Sequence, residues 1–114
     1  MRKDGKIDYV ELPGSPLPEA TAFYRQAFGW KFVDYGPGYA AFDDAGLDGG
    51  LAADGDAAPK VPLVVLYASD LEAMQVRVTD AGGTITRPIF SFPGGRRFHF
   101  RDPAGNELAV WSET

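Results

Sequence analysis

The chain has 114 residues, 45% hydrophobic and 13% aromatic, which suits one hydrophobic core and is too short for two independent ones. A formal net charge of −5 without any basic stripe argues against a nucleic-acid backbone as partner. The absence of cysteine excludes disulfides, thiolate metal sites and a cysteine nucleophile.

Ile7 to Leu12 reads as a strand closed by Pro13-Gly14. Ser15 is the expected N-cap of a helix in which Leu17, Ala20, Phe23, Ala27 and Phe28 recur at helical spacing. Gly29 ends it. Strands are expected from Trp30 to Tyr35, from Tyr39 to Phe42 and around Leu51, with Gly36-Pro37-Gly38 and residues 46–50 as turns. Residues 54–60, rich in Ala, Gly, Asp and Pro, read as a linker. Pro62 to Tyr67 then forms an apolar strand, and Ser69 caps a helix with Leu71, Met74, Val78 and Ala81 on one face. Thr84 to Ile89, Arg97 to Arg101 and Glu107 to Trp111 follow as strands, the last after a tight turn at Asp102-Pro103-Ala104-Gly105-Asn106.

The order strand, helix, strand, strand, strand thus occurs twice. Displacing the chain by 54 residues superposes Leu12 on Leu66, Leu17 on Leu71, Ala27 on Ala81 and Gly29 on Gly83 without a gap. Such self-similarity marks two copies of one supersecondary unit. The expected organisation is one domain, 1–114, with a module over about 6–53, the linker over about 54–60 and a second module over about 61–112. The start of the chain, Met1 to Lys6, is charged with no apolar stretch behind it. No signal peptide is therefore expected, no run approaches membrane-spanning length, and the expected location is cytoplasmic.

Ala22-Phe23-Tyr24-Arg25-Gln26-Ala27-Phe28-Gly29-Trp30, after a strand ending in Glu11-Leu12-Pro13, resembles the first module of the vicinal oxygen chelate superfamily. That superfamily holds the glyoxalase, bleomycin-resistance and extradiol dioxygenase proteins. Asp102-Pro103-Ala104-Gly105-Asn106 before a final strand resembles the end of its second module. The resemblance implies an α+β fold of two tandem βαβββ modules forming a cupped mixed sheet, with helices on the outer face and commonly a homodimer. It also implies a divalent metal held by His, Gln or Glu at set strand positions. Those positions fall here on Tyr9, Leu63, Ala109 and the vicinity of Gly50 or Leu51, which offer one donor between them. A chelate site needs three or four converging donors, so no cofactor is expected. A substitute metal set would have to draw on Glu11 and Glu107 with Asp48 or His99.

Two functions are compatible with these residues. One is a metal-independent binder of a small organic ligand, lined by Tyr9, Arg97, Ala109 and Trp111. The other is a lyase- or dioxygenase-type enzyme acting on a small oxygenated metabolite through a non-standard carboxylate site. Its candidate catalytic residues are Glu11, Glu107 and His99, with the adjacent Arg96 and Arg97, and Arg101 close behind, clamping an anion. His99 is the chain's single histidine and so the side chain whose ordinary titration falls near neutrality. If Phe98 and Phe100 pack under a helix, alternation turns Arg97, His99 and Arg101 toward the ligand. In the opposite arrangement His99 belongs to the core. Tyr9 and Trp111 are each equally readable as packing aromatics, and Glu11 as the partner of an arginine.

Overall fold

The computed structural model describes residues 2–53 and 58–114, so most of the expected linker lies outside the described residues. The chain forms two compact units, Tyr9–Leu63 and Met1–Asp8 with Val64–Thr114. Each carries the βαβββ order, and the fold is α+β with mixed strand pairing.

In the first unit, β1 (Ile7–Pro13) leads into α1 (Leu17–Phe28), followed by β2 (Phe32–Asp34), β3 (Tyr39–Phe42) and β4 (Gly49–Ala52). The strand order is β2-β3-β4-β1. β1 pairs with β4 in parallel, whereas β3 runs antiparallel to both β2 and β4. Leu17, Ala40 and Leu51 form the core, joined by Leu12, Ala20, Tyr24, Phe32 and Phe42. Trp30 stacks on Tyr24 with centroids 4.6 Å apart and planes 7° apart.

The second unit contains β5 (Leu63–Tyr67), α2 (Leu71–Asp80), β6 (Thr84–Phe92), β7 (Gly95–Arg101) and β8 (Glu107–Ser112), in the order β5-β8-β7-β6. β5 and β8 are parallel, and β7 is antiparallel to both β6 and β8. Leu71, Phe98, Val110 and Ala68 are the buried centre, with Met74, Val78, Ile85, Ile89 and Phe100 against them. The chain's first residues also belong to this unit. Gly5 donates to the Tyr67 carbonyl at 2.8 Å, Tyr67 donates to that of Lys6 at 3.2 Å, and Asp4 accepts both the backbone and hydroxyl hydrogens of Ser69 at 2.9 Å.

The two helices open at Leu17 and Leu71, equivalent positions of the repeat, but their caps differ from expectation. Pro16 occupies the N-cap of α1 with no side-chain hydrogen bond, after a cis Ser15–Pro16 peptide. Asp70, not Ser69, caps α2, its carboxylate accepting from the Ala73 N–H at 3.0 Å. Ser69 is engaged with Asp4 instead. Losing a side-chain cap costs about 1 kcal/mol. Asp70→Ala should therefore lower the unfolding free energy by about that much in a urea titration, whereas Ser15→Ala should leave it unchanged within about 0.5 kcal/mol.

The apolar face of α1 also differs. Phe23 and Phe28 are 57% and 63% exposed, while Thr21 is buried, its hydroxyl donating to the Leu17 carbonyl at 3.1 Å. The Asp102 turn matches expectation. Its carboxylate accepts from the Ala104 and Asn106 N–H groups at 2.9 Å, and Gly105 supplies a φ of 93° that a side chain would resist. Hydrogen bonds from Asn106 hold the Asp102 carboxyl below the usual carboxylate range.

Candidate functional site

In β7, alternation decides which side chains reach the site. Phe98 is fully buried beside Leu71 of α2, so its neighbours Arg97 and His99 occupy the opposite face of the sheet. Cross-strand register extends that face into two rows. His99 lies opposite Ala109 of β8 and Arg87 of β6, and Ala109 lies opposite Val65 of β5. Arg97 lies opposite Trp111 and Phe90, and Trp111 opposite Tyr67. Ala109 and Val65 are buried and small, leaving Trp111, His99 and the arginines as the functional groups of this surface.

Cations and aromatic rings alternate across it. The Arg97 guanidinium is 5.5 Å and 5.6 Å from the Phe90 and Phe92 ring centres, and that of Arg87 is 4.2 Å from Phe90. Trp111 is held at both edges: its indole N–H donates to Asp8 at 2.9 Å, and Tyr67 packs edge-on with centroids 5.6 Å apart. Arg2 lies 4.9 Å from the indole centre and also pairs with Asp8 at 3.3 Å. Such contacts draw on the negative face of each ring and fix its orientation.

Arg96, although next in sequence to Arg97, belongs elsewhere. It pairs with Glu72 of α2 at 2.6 Å and donates to the carbonyl of Thr114 at 2.9 Å. The anion clamp read from adjacent arginines therefore reduces to Arg97, with Arg87 from β6.

His99 is 7% exposed. Its Nδ1 lies 3.8 Å from Oε2 of Glu107, which in turn accepts the Thr86 hydroxyl at 2.8 Å. Its Nε2 is buried with no hydrogen-bond partner among the described residues. Burial lowers the pKa of His99 to about 4, reinforced by the neighbouring charges of Arg97 and Arg87 and opposed by Glu107. The ring is thus neutral at pH 7, and the carboxylate beside Nδ1 favours the tautomer with its proton there. An unfolded histidine titrates near 6.5, so between that pH and about 4 only the unfolded chain takes up the proton. Stability is therefore fully present above about pH 6.5 and declines as pH falls toward 4. After allowance for solvent screening the loss should be on the order of 2 kcal/mol. Urea titrations at steps across this window should show a decline that His99→Gln flattens.

The first unit carries the remaining candidates. Leu12 packs on the α1 side, so Tyr9 and Glu11 face away from it. Glu11 is buried at 7% exposure and stands opposite Gly50. A Cβ on Gly50 would run into the hydroxyl and ring of Tyr39, which therefore covers this part of β4. Asp48 is exposed, and its carbonyl accepts from the Val10 N–H at 3.1 Å.

Arg87, Phe90, Phe92 and Thr86 escaped the sequence reading because β6 is irregular. Its register slips between Ile85 and Arg87 and again between Arg87 and Phe90, so alternation does not carry through the strand. Pro88 inside the run was the available signal.

The profile of the Glyoxalase/Bleomycin resistance protein/Dioxygenase superfamily matches residues 6–110, and the chain belongs to that superfamily. Among individual proteins it is similar to the anthracycline biosynthesis protein DnrV of Streptomyces peucetius, with 32% identity over 120 residues. The match covers 86% of this chain and 44% of DnrV, so the chain spans less than half of that relative. Two solved structures share the fold. A superfamily member from Vibrio splendidus 12B01 has a TM-score of 0.72 at 16% identity, covering 94% of this chain and 97% of its own. The Mn(II)-bound glyoxalase from Novosphingobium aromaticivorans has a TM-score of 0.68 at 21% identity, covering 99% of this chain and 40% of its own.

The strand positions that the resemblance assigns to metal ligands hold Tyr9, Leu63, Ala109 and Gly50 or Leu51. Leu63, Ala109 and Gly50 carry no donor atom, and Tyr9 alone supplies one. Nor are three His, Asp or Glu side chains grouped for metal binding among the described residues. Glu107, named for a substitute set, accepts the Thr86 hydroxyl and adjoins His99.

Proposed function

We propose that this protein binds a small, flat organic ligand on the face of the second unit opposite α2, without a resident metal. The observation that carries this reading is the row Tyr67–Trp111–Arg97–Phe90, in which a buried cation stands among aromatic rings held by defined partners. Aromatic faces take up a flat ring system by stacking, and a guanidinium donates hydrogen bonds to its carbonyl, enolate or carboxylate oxygens. Ala109, where a ligating glutamate would project, keeps that space clear. The name of the Streptomyces relative adds support, because an anthracycline skeleton is a flat fused-ring system.

The test is a titration with anthraquinone-2-carboxylate followed by tryptophan fluorescence. The chain's two tryptophans, Trp30 and Trp111, lie in different units, so each can be silenced separately. Saturable quenching should survive Trp30→Phe and be lost in Trp111→Phe. Quenching carried by Trp30, or no binding at all, would overturn the assignment. Chromatography of the same mixtures distinguishes a binder, which returns the ligand unchanged, from an enzyme, which yields a new species.

A further inference from the structure

We infer that His99, oriented by Glu107, is a hydrogen-bond acceptor for a ring hydroxyl of the bound ligand, so that the site selects hydroxylated over O-alkylated aromatic compounds. This deepens the aromatic-ligand reading and rests on it.

The His99 side chain is 9% exposed, yet its Nε2 has no partner among the described residues. Leaving a buried polar atom unsatisfied costs roughly 1–3 kcal/mol, so its persistence marks a place where another molecule completes the bond. The opposite edge of the ring is accounted for. Nδ1 lies 3.8 Å from Oε2 of Glu107, which the Thr86 hydroxyl anchors, and the nearby carboxylate favours a proton on that edge of the ring. With the proton on Nδ1, Nε2 presents only a lone pair. It can accept from an O–H or N–H and cannot donate to a carbonyl or ether.

The surroundings specify what carries that hydroxyl. The Phe90 ring centre is 5.7 Å from that of His99, and Phe90 is itself flanked by Arg87 and Arg97. The next row of the same face holds Trp111. A donor completing the bond to the covered Nε2 would have to enter among these rings, which suits a phenol-type hydroxyl on a flat arene better than an alcohol on a flexible chain. Titratable and charged groups facing His99 are Arg87 from β6, Arg97 from its own strand and Glu107 from β8; β5 contributes the apolar Val65.

The probes are 2-naphthol and 2-methoxynaphthalene, alike in ring system and differing in one donor. At pH 7 the unmodified protein should bind 2-naphthol about tenfold more tightly, because the methyl ether sets an oxygen against the lone pair with no hydrogen between them. His99→Phe should bring the two affinities together. An independent readout needs no variant. With one histidine in the chain, its imidazole 15N spectrum is unambiguous. The free protein should show the Nδ1–H tautomer, and the Nε2 resonance should move on adding 2-naphthol and stay in place with the ether. Equal affinities for the two probes, or an Nε2–H tautomer, would overturn the inference and leave the aromatic site standing. Failure of both probes to bind would overturn the aromatic site itself, and the inference with it.

Discussion

Phe98→Ala should destabilise the protein by about 3–5 kcal/mol, the range for removing a large buried aromatic side chain. Phe98 is wholly inaccessible and packs with Leu71, Val110 and Ala68 at the centre of the second unit. Truncation forfeits both its transfer from water and its contacts with that shell, and helix and sheet backbones cannot close the gap fully. The functional consequence follows from alternation. Burial of Phe98 beneath α2 is what turns Arg97 and His99 to the opposite face, so the substitution should weaken anthraquinone binding even where the protein remains folded. Chemical denaturation measures the first effect, and fluorescence titration at low temperature the second. A loss under about 1 kcal/mol would mean that Phe98 is not the centre of this core.

Gly95→Ala should cost about 2–3 kcal/mol, within the range for forcing atoms into filled space. Gly95 opens β7 opposite Phe92, after the Pro93-Gly94 turn in which Gly94 has a φ of 114°. A methyl on Gly95 would strike the carbonyl oxygen of Ser112 and approach its carbonyl carbon at 3.1 Å and the Glu113 Cα at 3.2 Å. All three are backbone atoms of the neighbouring strand end, which cannot swing away as a side-chain tip can. The two strands would have to part where their register aligns Arg97 with Trp111. Gly36→Ala is the contrasting control. There a Cβ would meet nothing within 4 Å, and only the strain of φ 103° opposes it. The unfolding midpoint in urea should therefore fall further for Gly95→Ala, with quenching through Trp111 weakened in that variant alone.

Much of this architecture is legible in the sequence, because the repeat imposes the same signals twice. The succession of strands and helices along the chain and the Asp102 turn rest on local chemistry: periodicity, glycine and a short acidic side chain. The choice of N-cap was less local. Ser69 was drawn off by Asp4, 65 residues away, which left Asp70 to cap α2. Phe23 and Phe28 followed helical spacing yet remain exposed, since periodicity identifies a face without saying what covers it.

At the site, alternation placed Arg97, His99, Ala109 and Trp111 on one face once Phe98 was known to lie under α2. The groups that orient them come from distant or irregular segments. Asp8 reaches Trp111 across 103 residues of sequence, and Arg87, Phe90 and Phe92 lie on a strand whose register slips twice. Arg96 shows the converse. Adjacency in sequence suggested a paired clamp with Arg97, but neighbours on a strand face opposite ways, and Arg96 joins Glu72 of α2.

Metal analysis joined to ligand binding tests whether the aromatic face takes up its ligand without a metal. Protein purified without an affinity tag or chelator would be analysed by elemental mass spectrometry, then titrated with anthraquinone-2-carboxylate before and after exhaustive dialysis against EDTA. No stoichiometric divalent metal is expected, with identical quenching through Trp111 in both titrations. A near-stoichiometric transition metal whose removal abolishes binding would contradict a metal-free site.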